Sequence, residues 1–159
     1  MKQLLNTLPQ VGKVEWIGLR LAKRADMQIV ESAKVTPEDG FIGDRYHGKS
    51  GKRQVTLIQQ EHLEAVAKFL SIKEVDVALT RRNILVSGIN LLALKDHQFS
   101  IGKSVVLETT GHCHPCSRME ENFGVGGYNA MRGHGGLTTR VIKGGTIKIG
   151  DTVRLISND

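Results

Sequence analysis

The sequence predicts a mainly β fold: a closed or nearly closed barrel of short strands, with one main amphipathic helix and short additional helices. Three observations lead there. Several stretches alternate apolar and polar residues with period two, the spacing of a strand with one buried face. Glycine is abundant and proline rare, 18 residues against 3, and the glycines fall between those stretches as turn punctuation. Only one long stretch carries helical spacing. Closing many short strands on themselves removes the unpaired edges they would otherwise expose.

The elements follow in order. Residues 11–19 alternate and open the chain as a strand, and residues 28–35 form a second. Residues 54–58 are a short apolar strand. In residues 59–70, Leu63, Val66, Ala67 and Leu70 fall at i, i+3, i+4 and i+7, one face of an amphipathic helix. A shorter helix is expected over residues 72–79. Strands resume at 83–86, 98–101 and 104–110, the last running directly into a cysteine-bearing segment. Residues 138–143, Gly144-Gly145 and residues 146–149 read as a hairpin with a two-residue turn. Gly150-Asp151 then precedes a final strand over 152–156.

Bulk properties bound the function. The chain of 159 residues suits one domain over 1–159, long enough for a core without disulfide staples. A hydrophobic fraction of 40% with 24% charged residues is ordinary for a globular protein and argues against disorder. With 4% aromatic residues, Val, Ile and Leu must supply most of the core. No stretch approaches the ~20 apolar residues of a membrane helix, and residues 1–10 lack the apolar run of a signal peptide. A cytoplasmic protein without a membrane role is expected. The net charge of +6 and pI of about 9.5 suit either a solvated basic surface or an anionic partner. A phosphate-bearing small molecule fits better than nucleic acid, because the basic residues are scattered and no aromatic-rich strand offers bases a stacking surface.

The most informative segment is Gly111–Glu120, which holds both cysteines of the chain, Cys113 and Cys116, beside His112, His114 and Arg118. A thiolate is the reactive form of cysteine, and a neighbouring cation favours it. In a reducing compartment such a pair is more often catalytic, redox-active or metal-binding than structural. Four readings compete. A thioredoxin-like dithiol uses this spacing, but Pro9, Pro37 and Pro115 are the only prolines and none follows the motif. A zinc site would need His112, His114, His47 or His134 to complete four ligands. Two inert thiols in a turn around Pro115 are a third reading. In the fourth, one thiolate carries sulfur or ligates a metal cofactor.

Two further clusters carry weaker signals. Gly124, Gly126, Gly127, Gly133, Gly135 and Gly136 lie within thirteen residues, but Asn129 stands where a dinucleotide fingerprint needs its third glycine. The segment is either a flexible loop or a run of backbone N–H groups cradling an anion, with Arg132 and Arg140 placed to grip phosphate. Gly40–Gly48 contains Asp44 and His47. Asp44 suits a turn brace, and His47 a surface position.

Together these segments resemble the MOSC domain, the module named for the C-terminal part of molybdenum cofactor sulfurases. Gly43-Asp44-Arg45 with His47-Gly48 resembles the family's early turn. Arg82-Asn83-Ile84, with Gly88 and Leu91, resembles its central strand. Pro115-Cys116-x-Arg118 resembles its cysteine signature, and Gly135-Gly136 with Arg140 through Gly150-Asp151 its closing hairpin. The resemblance spans residues 11–155 and implies a MOSC-like β-barrel that works on the molybdenum cofactor, a molybdopterin. It places Cys116 as the catalytic sulfur carrier or molybdenum ligand. Asp44, His47, Arg82, Asn83, Arg118, Arg132 and Arg140 become the cofactor-binding set. The chain has neither the length nor the lysine context for the pyridoxal phosphate domain of full sulfurases, so a cysteine desulfurase or redox protein is the implied partner. The expected activity is sulfur transfer or a part in a molybdenum-dependent reductase, with a non-catalytic carrier or a zinc or dithiol regulatory protein as alternatives.

Overall fold

The computed structural model describes residues 1–156 apart from His47 and Lys49. The strands are β1 (Gly12–Arg20), β2 (Met27–Val30), β3 (Ser32–Thr36), β4 (Gly40–Phe41), β5 (Val55–Gln59), β6 (Ile84–Ser87), β7 (Gln98–Ile101), β8 (Val105–His112), β9 (Leu137–Lys143), β10 (Gly145–Lys148) and β11 (Thr152–Leu155). The helices are α1 (Lys2–Leu5), α2 (Gln60–Phe69), α3 (Ser117–Phe123) and α4 (Gly127–Met131).

Seven strands close into a barrel in the order β1-β11-β7-β8-β9-β5-β6, with β2 hydrogen-bonded to the far half of β1. The seam is short. Gly12 and Lys13 pair with Val153 and Thr152, and two more backbone bonds join Val14 to Asp151 and Gly150 at 2.8 Å each. The alternation predicted from sequence fills the interior: Val14, Ile17, Val55, Leu57, Ile84, Val86, Leu107 and Leu137 have no solvent exposure. Burying each such side chain contributes roughly 1.5–3 kcal/mol.

Helix α2 forms where its apolar spacing places it. It links β5 to β6, which run parallel and therefore need a crossover. Its Leu63 and Val66 pack with Ile58, with Met119 of α3 and with Ala130 and Met131 of α4, a second core outside the barrel.

Four expectations change. The helix expected over 72–79 is a single 3-10 turn at Val77–Thr80, capped by the Asp76 carboxylate on the Ala78 N–H at 3.0 Å. The strand expected over 28–35 breaks into β2 and β3, which join different sheets. Residues 138–149 do not form a hairpin: β10 leaves the barrel and pairs with β3, Gly145 opposite Val35 and Lys148 opposite Ser32. Gly144 serves a close crossing rather than a tight turn, since a Cβ there would lie 2.6 Å from the Val35 carbonyl oxygen. Finally, the glycine-rich stretch is partly helical. Gly127 opens α4 because a Cβ would meet the Met119 carbonyl oxygen at 2.5 Å, and the Glu120 carboxylate accepts the N–H groups of Gly126 and Tyr128 at 2.9 and 3.0 Å. Those amides are engaged within the fold, so this part of the segment is no anion cradle.

Candidate functional site

The cysteine loop hangs between the end of β8 and the start of α3. Its entry is clamped by close packing. The Cys113 N–H donates to the Gly136 carbonyl at 2.8 Å, and a Cβ on Gly135 would sit 2.0 Å from the Cys113 carbonyl oxygen. On Gly136, at φ +86°, a Cβ would sit 1.8 Å from the Leu57 carbonyl oxygen. Only glycine permits this approach of three backbone segments.

Arg82 fastens the same loop from below. Its buried guanidinium donates to the carbonyls of Gly135 and Thr80 at 2.9 Å, Cys113 at 3.3 Å and His114 at 3.4 Å. Burial pushes this arginine below its ordinary range, while the charge of Cys113 acts in the opposite direction. Arg82 positions the loop and has its donors directed at backbone, so it is a brace rather than a direct cofactor ligand.

Asn83, another residue of the expected binding set, is likewise bonded within the fold. It has no solvent exposure. Its Oδ1 accepts from the Thr56 N–H and hydroxyl at 3.1 and 3.2 Å, and its Nδ2 donates to the Gly18 carbonyl and to Asp44 Oδ1 at 3.0 and 3.1 Å. Asp44 also receives the backbone N–H of Arg20 at 2.7 Å and of Tyr46 at 3.2 Å, and forms an ion pair with the Arg20 guanidinium at 3.0 Å. Burial alone would raise the Asp44 carboxyl, but the bonds and charge of Arg20 outweigh it and hold it below the usual aspartate value. The turn-brace reading of Asp44 is the one this geometry supports. His47 lies outside the described residues.

The remaining arginines separate. Arg140 projects from β9 and pairs with Glu108 at 2.7 Å; it is directed at β8 and does not line the cavity at Cys113. Arg132 is exposed beyond α4, with Nη1 3.4 Å from Asn129 Oδ1. Arg118 is half-buried on the first turn of α3, beside Cys116.

Sequence reading missed most of the cationic partners. Arg53 donates to the Cys113 sulfur at 3.7 Å. Arg81 is in the left-handed conformation at φ +62° and donates to the carbonyls of Ala22, at 3.1 Å, and Ala25. Its guanidinium is depressed first by burial and then by the charges of Arg118, Arg20 and Arg45. Arg53 and Arg20 act on Arg82 in the same way. Arg53 and Arg82 thus contact the cysteine loop and Arg118 follows it on α3, while Arg20 binds Asp44 and Arg81 the carbonyls of Ala22 and Ala25. The Arg81-Arg82 doublet was the one local signal for these arginines.

Two clefts flank the loop. A 230 Å³ cavity is lined by Cys113, His112, His114 and Pro115 with Gly133, Gly135 and Gly136 on its glycine wall. A 480 Å³ cleft beside α3 carries Arg24, Arg81 and Arg118 together with Asp26, Asp76 and Glu121. The largest cleft, 640 Å³ along α2, has no cysteine or arginine on its wall, so chemistry rather than volume locates the site. Cys113 is buried at 1% exposure and Cys116 is exposed. Among the described residues, no group of three or more His, Cys, Asp or Glu side chains is placed to hold a metal.

A barrel closed by β1 and β11, with a cysteine loop leaving β8, defines the class that the family comparison names. The MOSC domain model matches residues 43–154, and the chain belongs to the MOSC domain family. Among solved structures, it is similar to the YUAD protein from Bacillus subtilis, with a TM-score of 0.80 at 15% identity, covering 96% of this chain and 100% of that one. YiiM from Geobacillus stearothermophilus gives 0.69 at 14% identity, covering 91% and 75%. YiiM from Escherichia coli gives 0.68 at 17%, covering 92% and 71%. These likenesses establish the fold. No curated protein matches the chain in sequence. No helix among the described residues is long and apolar enough to cross a membrane.

Proposed function

We propose that this MOSC protein binds the molybdenum cofactor at the cysteine loop and uses Cys116 as molybdenum ligand or sulfur carrier. The observation that carries the reading is the convergence of arginines on a loop that also presents an exposed thiol. Guanidinium groups suit a phosphate geometrically and electrostatically, and a thiolate is a soft ligand. The residues therefore fit a group that is phosphorylated at one end and bears a soft metal at the other.

Arg118, which follows the loop on α3, and the exposed Arg45 would hold the anionic end, with Arg132 contributing from beyond α4. Cys116 would hold the metal end. Arg53 and Arg82 keep the base of the loop positive and fixed, and Asp44 with Asn83 fixes the barrel rim beneath. The bound cofactor would supply oxo- or sulfido-transfer chemistry. A cysteine desulfurase or a redox protein is the partner this role requires.

The test is metal and pterin content. Protein produced in a host that makes the cofactor should contain molybdenum and yield a fluorescent pterin on oxidation, and Cys116→Ser should lose the molybdenum. Folded wild-type protein lacking both would reject the reading.

A further inference from the structure

Cys113 is the thiol that the proposed function leaves without a task. It is 1% exposed, yet it is not an inert core residue: its sulfur receives an N–H from Arg53 at 3.7 Å, and the carbonyls of Cys113 and His114 receive the Arg82 guanidinium. Two charged donors are aimed at one buried residue.

Cys116, by contrast, is exposed and stands at the cap of α3. Residues 113–116 form no regular secondary structure, and the bonds that hold the loop, from the Cys113 N–H to Gly136 and from Arg82 to the carbonyls of Cys113 and His114, engage its backbone rather than either sulfur. Even fully extended, three residue steps span only ~10–11 Å, and a disulfide needs Cα atoms roughly 4.4–6.8 Å apart. Closing the pair therefore takes a turn of the chain between the two cysteines, at His114-Pro115. The sequence contains no other cysteine, so any internal disulfide joins these two.

We propose that Cys113 is the resolving thiol of Cys116, and that the pair forms a reversible disulfide which withdraws Cys116 from use. The oxidant class is a low-molecular-weight disulfide. The exposed Cys116 thiolate attacks one sulfur of that molecule, forming a mixed disulfide and releasing the first small thiol. The Cys113 thiolate then attacks the Cys116 sulfur, forming the Cys113–Cys116 bond and releasing the second. Two protein thiols lose two electrons and two protons; the oxidant leaves as two thiols. The asymmetry in burial sets the order, because the accessible sulfur is attacked from solution and the buried one reacts only within the loop. The consequence for cofactor handling rests on the role proposed for Cys116, whereas the disulfide itself does not.

Oxidised glutathione is the probe, added to the reduced full-length chain without cofactor, with mass spectrometry and thiol counting under denaturing conditions. The wild type should pass through a transient glutathione adduct to a form with no free thiol and no adduct, with two glutathione molecules released per chain. Cys113→Ser and Cys113→Ala should stop at a persistent adduct on Cys116, and dithiothreitol should restore both thiols of the wild type. A persistent adduct on wild-type Cys116, or a final state with Cys113 still free, would overturn the proposal, and this measurement needs no variant to fold. Since no molybdenum enters the assay, a negative result leaves the cofactor reading standing. Absence of molybdenum in cells would equally leave the disulfide intact.

Discussion

Asn83 and Arg118 belong to motifs of similar appearance in the sequence, yet they sit in opposite physical settings. Around Asn83 every polar atom has a partner: Thr56, Gly18 and Asp44 satisfy the amide, and Arg20 satisfies Asp44. Cys116, by contrast, is exposed, and Arg118 lines the cleft beside α3. A buried polar group must be bonded to be tolerated, because the interior offers no water in exchange. An exposed arginine faces no such demand and can turn to a ligand. The comparison teaches that the polar knot under the rim holds the fold and the loop above it is where chemistry can occur.

The sharpest way to break that contrast is Asn83→Ala. It orphans the Thr56 N–H and the Gly18 carbonyl, each costing about 1–3 kcal/mol when left unmet, and removes one donor from Asp44 Oδ1. A loss of about 3 kcal/mol or more is expected in urea unfolding. A loss below ~1 kcal/mol would mean that water replaces the amide and that the knot is not closed.

Acid provides a smaller and graded effect. The folded-state carboxyl of Asp44 lies below its unfolded value, held down by Arg20 against the opposing effect of burial. Its contribution is therefore complete above the unfolded value, about pH 3.9, and is lost as pH falls through the lower folded value. Unfolding free energy measured across that acid range should fall in the wild type. Asp44→Asn should be less stable at neutral pH and show a shallower acid dependence. Parallel curves for the two proteins would remove Asp44 from the knot.

The smallest stability effect belongs to Arg118→Ala, expected within about 0.5 kcal/mol of wild type because the side chain reaches solvent. Cofactor affinity in the same variant should drop about one to two orders of magnitude, the cost of one charge-assisted phosphate contact. Normal affinity in the folded variant would move the anion site away from α3.

Strand positions were legible because period-two alternation is a local consequence of having one face inside a barrel; β7 matches its expected bounds residue for residue. Helix α2 was legible for the same kind of reason, with a repeat long enough to show its face. Helices α3 and α4 were not, since neither is long enough to display a repeat and α4 is capped by a carboxylate from α3 rather than by its own neighbours. Pairing was also hidden. Gly144-Gly145 carries the same local signal whether the chain folds back on β9 or crosses to β3, and only the position of β3 outside the barrel selects the second.

By itself, the sequence determined the mainly β character, the single main helix and the dithiol loop, because each depends on residues close together in the chain. Tertiary structure decided what surrounds those thiols. Arg20 ends β1, Arg53 precedes β5, and Arg81 and Arg82 precede β6. The antiparallel pairing of β1 with β6 and the parallel pairing of β5 with β6 bring these ends together. Arginines scattered over more than sixty positions of sequence thus meet at one end of the barrel, where Arg53 and Arg82 contact the cysteine loop. Closure also separated the two roles of polar residues: it buried Arg82 and Asn83 as braces and left Arg118 in contact with solvent. Burial is a property of the closed barrel, and no local spacing encodes it.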